Sequence, residues 1–174
     1  QAIAASMTKS YNLIYYRASG YLGLLNNVSD PVKRNALIDQ AIATSIQAKE
    51  LDPSQPGSYA LLGLYYSIKP DREEAFKAID EALALPDVPQ DVELALLVSA
   101  GQTSVRLQDF EKGLGYYERA LSIDPNEVSA LKNLGALYLA KEDFDSALIH
   151  LDAAIEISED DKEKVDLFFN RGLV

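Results

Sequence analysis

Few of the 174 residues are of the types that catalyse reactions or bind metals. Cysteine is absent, which excludes disulfides, thiolate metal sites and cysteine nucleophiles. His150 is the only histidine, and no nucleophile or second metal ligand is recognisable around it in the sequence. The pattern favours a solvated surface histidine. It predicts a protein without enzymatic activity, cofactor or metal site.

Two other patterns carry little chemistry. Gly113 and Gly115 fall inside a predicted helix and are not followed by Gly-Lys-Ser/Thr, so they are not a phosphate-binding loop. The acid-rich stretch 156–166 lacks the alternating ligands and the central glycine of a calcium loop. We interpret it as a solvated loop followed by the first turn of a helix, where acidic side chains interact favourably with the helix dipole.

Composition narrows the possible partners. The formal net charge of −11 argues against nucleic acid and against anionic membrane surfaces, because their phosphates would be repelled. No apolar stretch approaches 18 residues, so no membrane insertion is expected. The compartment stays open. We expect a soluble, cytoplasmic protein. Export after removal of a targeting segment is the alternative, because the chain begins at Gln1 rather than methionine.

Glycines return along the chain at spacings close to one number. From Gly101 to Gly135 the step is 34 residues, and the other steps are somewhat longer. The series consists of Gly20, Gly63, Gly101, Gly135 and Gly172. A second small residue follows three of these glycines after twelve positions, as Ala147 follows Gly135. A period in this range is typical of a repeat array.

The clearest copy, about residues 128–161, predicts a helical hairpin. Apolar residues at helical spacing are interrupted by the polar segment 141–143 and then resume. Gly135 and Ala147 would let the two helix backbones approach closely. Glycine inside a helix costs about 1 kcal/mol relative to alanine, so close packing must offset that cost in each copy.

Three copies resemble the tetratricopeptide repeat pattern. The segment 131–138 reads Leu-x2-Leu-Gly-x2-Tyr, with leucine in place of the usual tryptophan, and 147–154 reads Ala-x3-Leu-x2-Ala. Segments 59–82 and 97–125 repeat the pattern, whereas the first copy around Gly20 matches it poorly. The resemblance implies an all-α, right-handed α-solenoid of antiparallel helical hairpins. It also implies a role in protein–protein interaction, as a scaffold or adaptor.

The expected organisation is one array over residues 1–174. Hairpins are predicted at about 1–53, 54–88, 89–125 and 126–160, with 161–174 as the first helix of a fifth repeat. Nine helices are predicted, at 3–26, 31–50, 57–68, 71–85, 90–107, 110–122, 126–140, 143–157 and 161–173. The glycines at 63, 101 and 135 should be buried where paired helices cross.

The resemblance also implies a binding surface, a concave and largely apolar groove lined by the first helix of each hairpin. The groove would hold a peptide or a partner helix. Its predicted residues are Arg17, Tyr21, Leu64, Val98, Gln102, Lys132, Asn133 and Phe169. For each of them, packing against a neighbouring hairpin is the alternative. The family's clamp for chaperone C-termini is incomplete, because Ala136 follows Lys132 after one turn, so we do not expect chaperone-tail binding.

The C-terminal segment suggests an alternative function, homo-oligomerisation. Apolar side chains, among them Phe168 and Leu173, lie around much of the predicted last helix, and packing on one neighbouring hairpin cannot cover them all. A terminal repeat usually has a polar outer face. We therefore expect that the natural protein continues past Val174, and that this chain self-associates through this end.

Overall fold

A computed structural model describes residues 2–158, 164, 166–167 and 170–172. The helices are α1 (Ala2–Leu25), α2 (Pro31–Leu51), α3 (Pro56–Ile68), α4 (Arg72–Leu83), α5 (Gln90–Arg106), α6 (Phe110–Ile123), α7 (Val128–Ala140) and α8 (Phe144–Ile157). Their ends lie within two residues of the predicted ones. The described part of the chain contains no strand, and the all-α prediction is confirmed. Of the predicted ninth helix, residues 164, 166–167 and 170–172 are described; all are helical except 172, which lies in a turn.

The helices pack as antiparallel neighbours in sequence order. Helix α1 contacts α2, α3 contacts α4, and α7 contacts α8, while α2 with α3 and α6 with α7 join successive hairpins. The chain divides into two compact units, Gln1–Leu96 and Leu97–Val174. The prediction of a single continuous array stays a prediction.

Three of the hairpins share one turn, built on an aspartate eight residues after the repeat glycine. Its backbone N–H donates to the carbonyl oxygen five residues earlier, at 2.8–2.9 Å. Its carboxylate accepts a hydrogen bond from the backbone N–H three residues later, which caps the second helix. These aspartates are Asp71, Asp109 and Asp143. The repeat therefore fixes the turn as well as the helices.

The repeat glycines lie where paired helices cross. Gly63 faces Ile79, Gly101 faces Tyr117 and Gly135 faces Leu151. A Cβ atom built on these glycines would lie 3.0, 2.5 and 2.6 Å from the facing side chain, so none of the three has room for a methyl group without movement. All three glycines are buried, as predicted.

The first hairpin, whose sequence matches the repeat poorly, departs from this pattern. Gly20 is exposed, and nothing lies within 4 Å of a Cβ built on it. Ala18, fully buried, takes its place in the core with Ala41 of α2. The reason lies in α2. In the other hairpins the side chain that fills the glycine position stands four residues after the second small residue, whereas α2 has Ser45 there, four residues after Ala41.

One hydrophobic cluster of the first unit joins α1 to the next hairpin. Its buried members are Ala18, Tyr21, Leu25, Ile38, Ala41, Ile42, Leu61, Leu62, Tyr65 and Ala78. The Tyr65 hydroxyl donates to the Ala18 carbonyl oxygen at 2.5 Å, and burial raises the pKa of Tyr65 to about 12. This contact links α1 directly to α3, 47 residues along the chain.

Candidate functional site

The first helices of the repeats keep part of their surface open beside the buried glycine. We define the open flank of α3, α5 and α7 as the residues three before and one after that glycine. Its members are Ala60 and Leu64, Val98 and Gln102, and Lys132 and Ala136. Gln102 and Ala136 are exposed, and the other four are half-buried. The same two repeat positions therefore stay accessible in all three helices.

In the first unit, two of the three predicted groove residues keep accessible surface. Arg17 is exposed on α1, and Leu64 is half-buried on α3. Tyr21 is only 8% exposed and packs in the core with Ala18 and Leu25, so its place in the predicted groove is corrected to a core position. This correction follows from the shifted packing of α1, since the stripe that contains Ala18 also buries Tyr21.

In the second unit, the predicted groove residues that the structure describes keep some accessible surface. Val98, Lys132 and Asn133 are half-buried, and Gln102 is exposed. The Asn133 side-chain amide donates to the Ser129 carbonyl oxygen of its own helix at 2.7 Å, so part of its hydrogen-bonding capacity is already used. The other predicted residues, Phe169 in the groove and Phe168 and Leu173 for self-association, lie outside the residues that the structure describes.

The chemistry of the open flanks differs from that of the chain as a whole. The net charge is −11, yet none of the six open-flank residues is acidic. Four are aliphatic, one is an amide and one is a cation. Such a surface suits an apolar ligand that is oriented by a few polar contacts.

A cleft of about 240 Å³ lies in the first unit, between α2, α3 and α4. It is lined by Ile46, Lys49, Glu50, Leu62, Tyr66, Glu74, Lys77, Ala78 and Glu81. Two of its three glutamates have a lysine partner, because Lys49 pairs with Glu81, and the Lys77 Nζ lies 3.5 Å from the Glu74 Oε1. Within the described residues, no cluster of three histidine or acidic side chains is arranged to hold a metal ion. The cleft is therefore a weaker candidate than the open flanks.

His150 has a packing role that the sequence did not indicate. Its ring stacks on that of Tyr138 across the α7–α8 hairpin, with centroids 5.4 Å apart and planes 5° from parallel. The side chain is half-buried, which corrects the expectation of a solvated surface histidine. Burial lowers its pKa, and the weaker attraction of the Glu118 carboxylate opposes this shift.

Comparison with known proteins identifies tetratricopeptide repeats in this chain. A family model described as tetratricopeptide repeat matches residues 92–160. The TPR repeat-containing protein YpiA of Bacillus subtilis (strain 168) is 29% identical over 125 residues, which cover 72% of this chain and 29% of that protein. Hsp70-Hsp90 organizing protein 1 of Glycine max is 33% identical over 57 residues, which cover 33% of this chain and 10% of that protein. The chain therefore spans less than a third of either relative.

Two solved structures share the fold. YrrB, described as a TPR protein with an unusual peptide-binding site, aligns with a TM-score of 0.58 and 25% identity over 96% of this chain and 80% of its own. MamA aligns with a TM-score of 0.58 and 22% identity over 86% of this chain and 89% of its own.

No helix among the described residues is both long enough and apolar enough to cross a membrane.

Proposed function

Because the chain belongs to the tetratricopeptide repeat family, we propose that it is a scaffold or adaptor that binds a peptide or a partner helix on the open flanks of α3, α5 and α7. Proteins of this family generally mediate protein–protein interactions. The absence of enzymatic activity stays a prediction.

One observation carries the proposal. Although the chain is acidic overall, neither open-flank position of α3, α5 or α7 carries an aspartate or glutamate. Both positions are accessible in all three helices. Hairpin packing alone does not require this, because the glycine and its neighbours in the core already bury the crossing. An apolar peptide or helix that lay against Leu64 or Val98 would gain from burying aliphatic surface, and it would meet no carboxylate there.

The binding position can be tested with the chain as it is. Peptides of twelve residues would be selected from a random library, and the strongest binder titrated into isotope-labelled protein followed by amide chemical shifts. We expect the largest shifts at open-flank residues and small shifts on α4 and α8. Shifts concentrated on α4 and α8, the second helices of their hairpins, would contradict the proposal.

The alternative function, homo-oligomerisation through the C-terminal helix, rests on Phe168 and Leu173. Both residues lie outside the described part of the chain. This alternative stays a prediction.

A further inference from the structure

The outward face of α1 is apolar and positively charged. It consists of Lys9, Leu13, Tyr16, Arg17, Gly20 and Leu24, which lie on one side of the helix and are all exposed. Leu13 is 73% exposed, Tyr16 69% and Leu24 52%. No aspartate or glutamate occurs between residues 2 and 25, so this face has two cations and no anion within its own helix. Exposed apolar side chains grouped in this way mark interaction surfaces.

Gly20 forms an unfilled notch in the middle of this face. Like Gly63, Gly101 and Gly135, it stands five residues before the last residue of its helix. Each of those three glycines receives a large side chain from the paired helix, whereas nothing lies within 4 Å of a Cβ built on Gly20. The chain's own packing thus shows what fits such a notch, namely a branched or aromatic side chain from a second helix.

The outward face of α8 has complementary chemistry. Asp145, Ile149, Asp152 and Glu156 lie on one side of that helix and are exposed. Ile149 is a branched side chain that is 67% exposed. Three carboxylates surround it, and Asp152 pairs with Arg171. The face therefore offers one large apolar side chain within an acidic border.

We propose that the α1 face of one copy of this chain binds the α8 face of a second copy. Ile149 enters the notch at Gly20 between Tyr16 and Leu24, and the carboxylates of α8 lie near Lys9 and Arg17. This contact uses none of the six open-flank residues and does not depend on peptide binding there, although Arg17 of the α1 face is also a predicted groove residue. The two faces are different, so the association is head-to-tail and leaves a free face at each end.

The expected association is weak and reversible. A contact between two single helices falls below the roughly 1,200 Å² that stable interfaces bury. We therefore expect the mass of the wild-type chain to rise with concentration between about 10 µM and 1 mM, and to rise less at high salt. An anionic membrane is the other possible occupant of a basic, apolar helix face. The net charge of −11 opposes both occupants, and the α8 face favours a second copy because it offers carboxylates for Lys9 and Arg17 and an exposed Ile149 for the notch.

The head-to-tail geometry allows a complementation experiment by sedimentation equilibrium. Tyr16→Asp disrupts binding by the α1 face and leaves the α8 face intact. Ile149→Asp disrupts binding by the α8 face and leaves the α1 face intact. We expect each variant alone to be monomeric and their equimolar mixture to form a 1:1 dimer. The dimer cannot grow, because each copy keeps only one working face. Circular dichroism melting checks that both variants fold, and Arg17→Glu, a milder change on the exposed face, should weaken association several-fold.

Three results would overturn the proposal. They are a wild-type chain that stays monomeric throughout, variants that associate as strongly as wild type, and a mixture that stays monomeric. Co-sedimentation of a monomeric wild type with phosphatidylserine vesicles, lost in Tyr16→Asp, would assign the α1 face to a membrane instead. Tyr16 and Ile149 are neither open-flank nor predicted groove residues, so Tyr16→Asp and Ile149→Asp should leave peptide binding at the open flanks unchanged, and the two proposals fail separately.

Discussion

The ring of Tyr117 lies directly over the backbone of Gly101. A Cβ atom at position 101 would lie 2.5 Å from Cε1 of the ring and 2.6 Å from Cζ. Both residues are buried, and the contact joins α5 to α6 within the second unit. The glycine of this repeat is therefore required by the space that its neighbour occupies.

Gly101→Ala should lower the free energy of unfolding by about 1–3 kcal/mol, because the added methyl group overpacks a buried crossing. Gly115→Ala in α6 is the matched control, since nothing lies within 4 Å of a Cβ there. It should raise stability by up to about 1 kcal/mol through helix propensity. Urea unfolding measures both. Equal changes in the two variants would show that Tyr117 does not occupy this space.

The hydroxyl of Tyr117 provides a second test. It is buried, and within the described residues it has no hydrogen-bond partner. Burial also raises the pKa of Tyr117. Tyr117→Phe should stabilise the protein by about 1 kcal/mol, because it removes an unsatisfied buried group. Tyr65→Phe should cost about 1 kcal/mol, because the Tyr65 hydroxyl donates to the Ala18 carbonyl oxygen. Chemical denaturation of both variants gives the comparison, and the same sign in both would contradict this account.

The lowered pKa of His150 predicts how the free energy of unfolding depends on pH. Its pKa is lowered in the folded state by burial, so the unfolded chain binds the proton more readily. The stabilisation by neutral, packed His150 is fully present above the ordinary histidine pKa of about 6.5. It is lost as the pH falls through the lower pKa that His150 has in the folded protein. His150→Gln should reduce the loss of stability between about pH 7 and pH 5. The urea unfolding midpoints of wild type and His150→Gln, measured across this range, should converge at low pH. Midpoints that fall in parallel with pH would contradict the prediction.

Spacing alone predicted the helices and their pairing, because the twelve residues between small positions reflect a physical crossing of two helices. Glycine spacing did not predict how α1 packs on α2 in the first hairpin. Its glycine was visible in the sequence, but the crossing also needs a large side chain from α2, and α2 has Ser45 there. Comparing Ser45 with Ile79 and Leu151 would have revealed the exception.

Other features were present in the sequence but not recognised, or were not predictable from it. The turn aspartates occur at a constant eight residues after the glycine, and Asp is a preferred helix cap, so the shared turn was predictable. The bond from Tyr65 to Ala18 and the stacking of His150 on Tyr138 depend on three-dimensional neighbours that no local pattern specifies. The shifted packing of α1 likewise moved Tyr21 from the predicted groove into the core.

The central claim, that the open flanks bind a protein partner, is tested most directly by the affinity of a selected peptide for three variants. Leu64→Asp and Val98→Asp place a carboxylate on the open flanks, whereas Val32→Asp is the control at a residue of α2 that is 79% exposed. We predict that the first two weaken binding at least about tenfold, or about 1.4 kcal/mol, with melting temperatures close to that of wild type. Val32→Asp should bind as wild type does. Unchanged affinity in both open-flank variants, or a large loss of melting temperature in both, would contradict the claim.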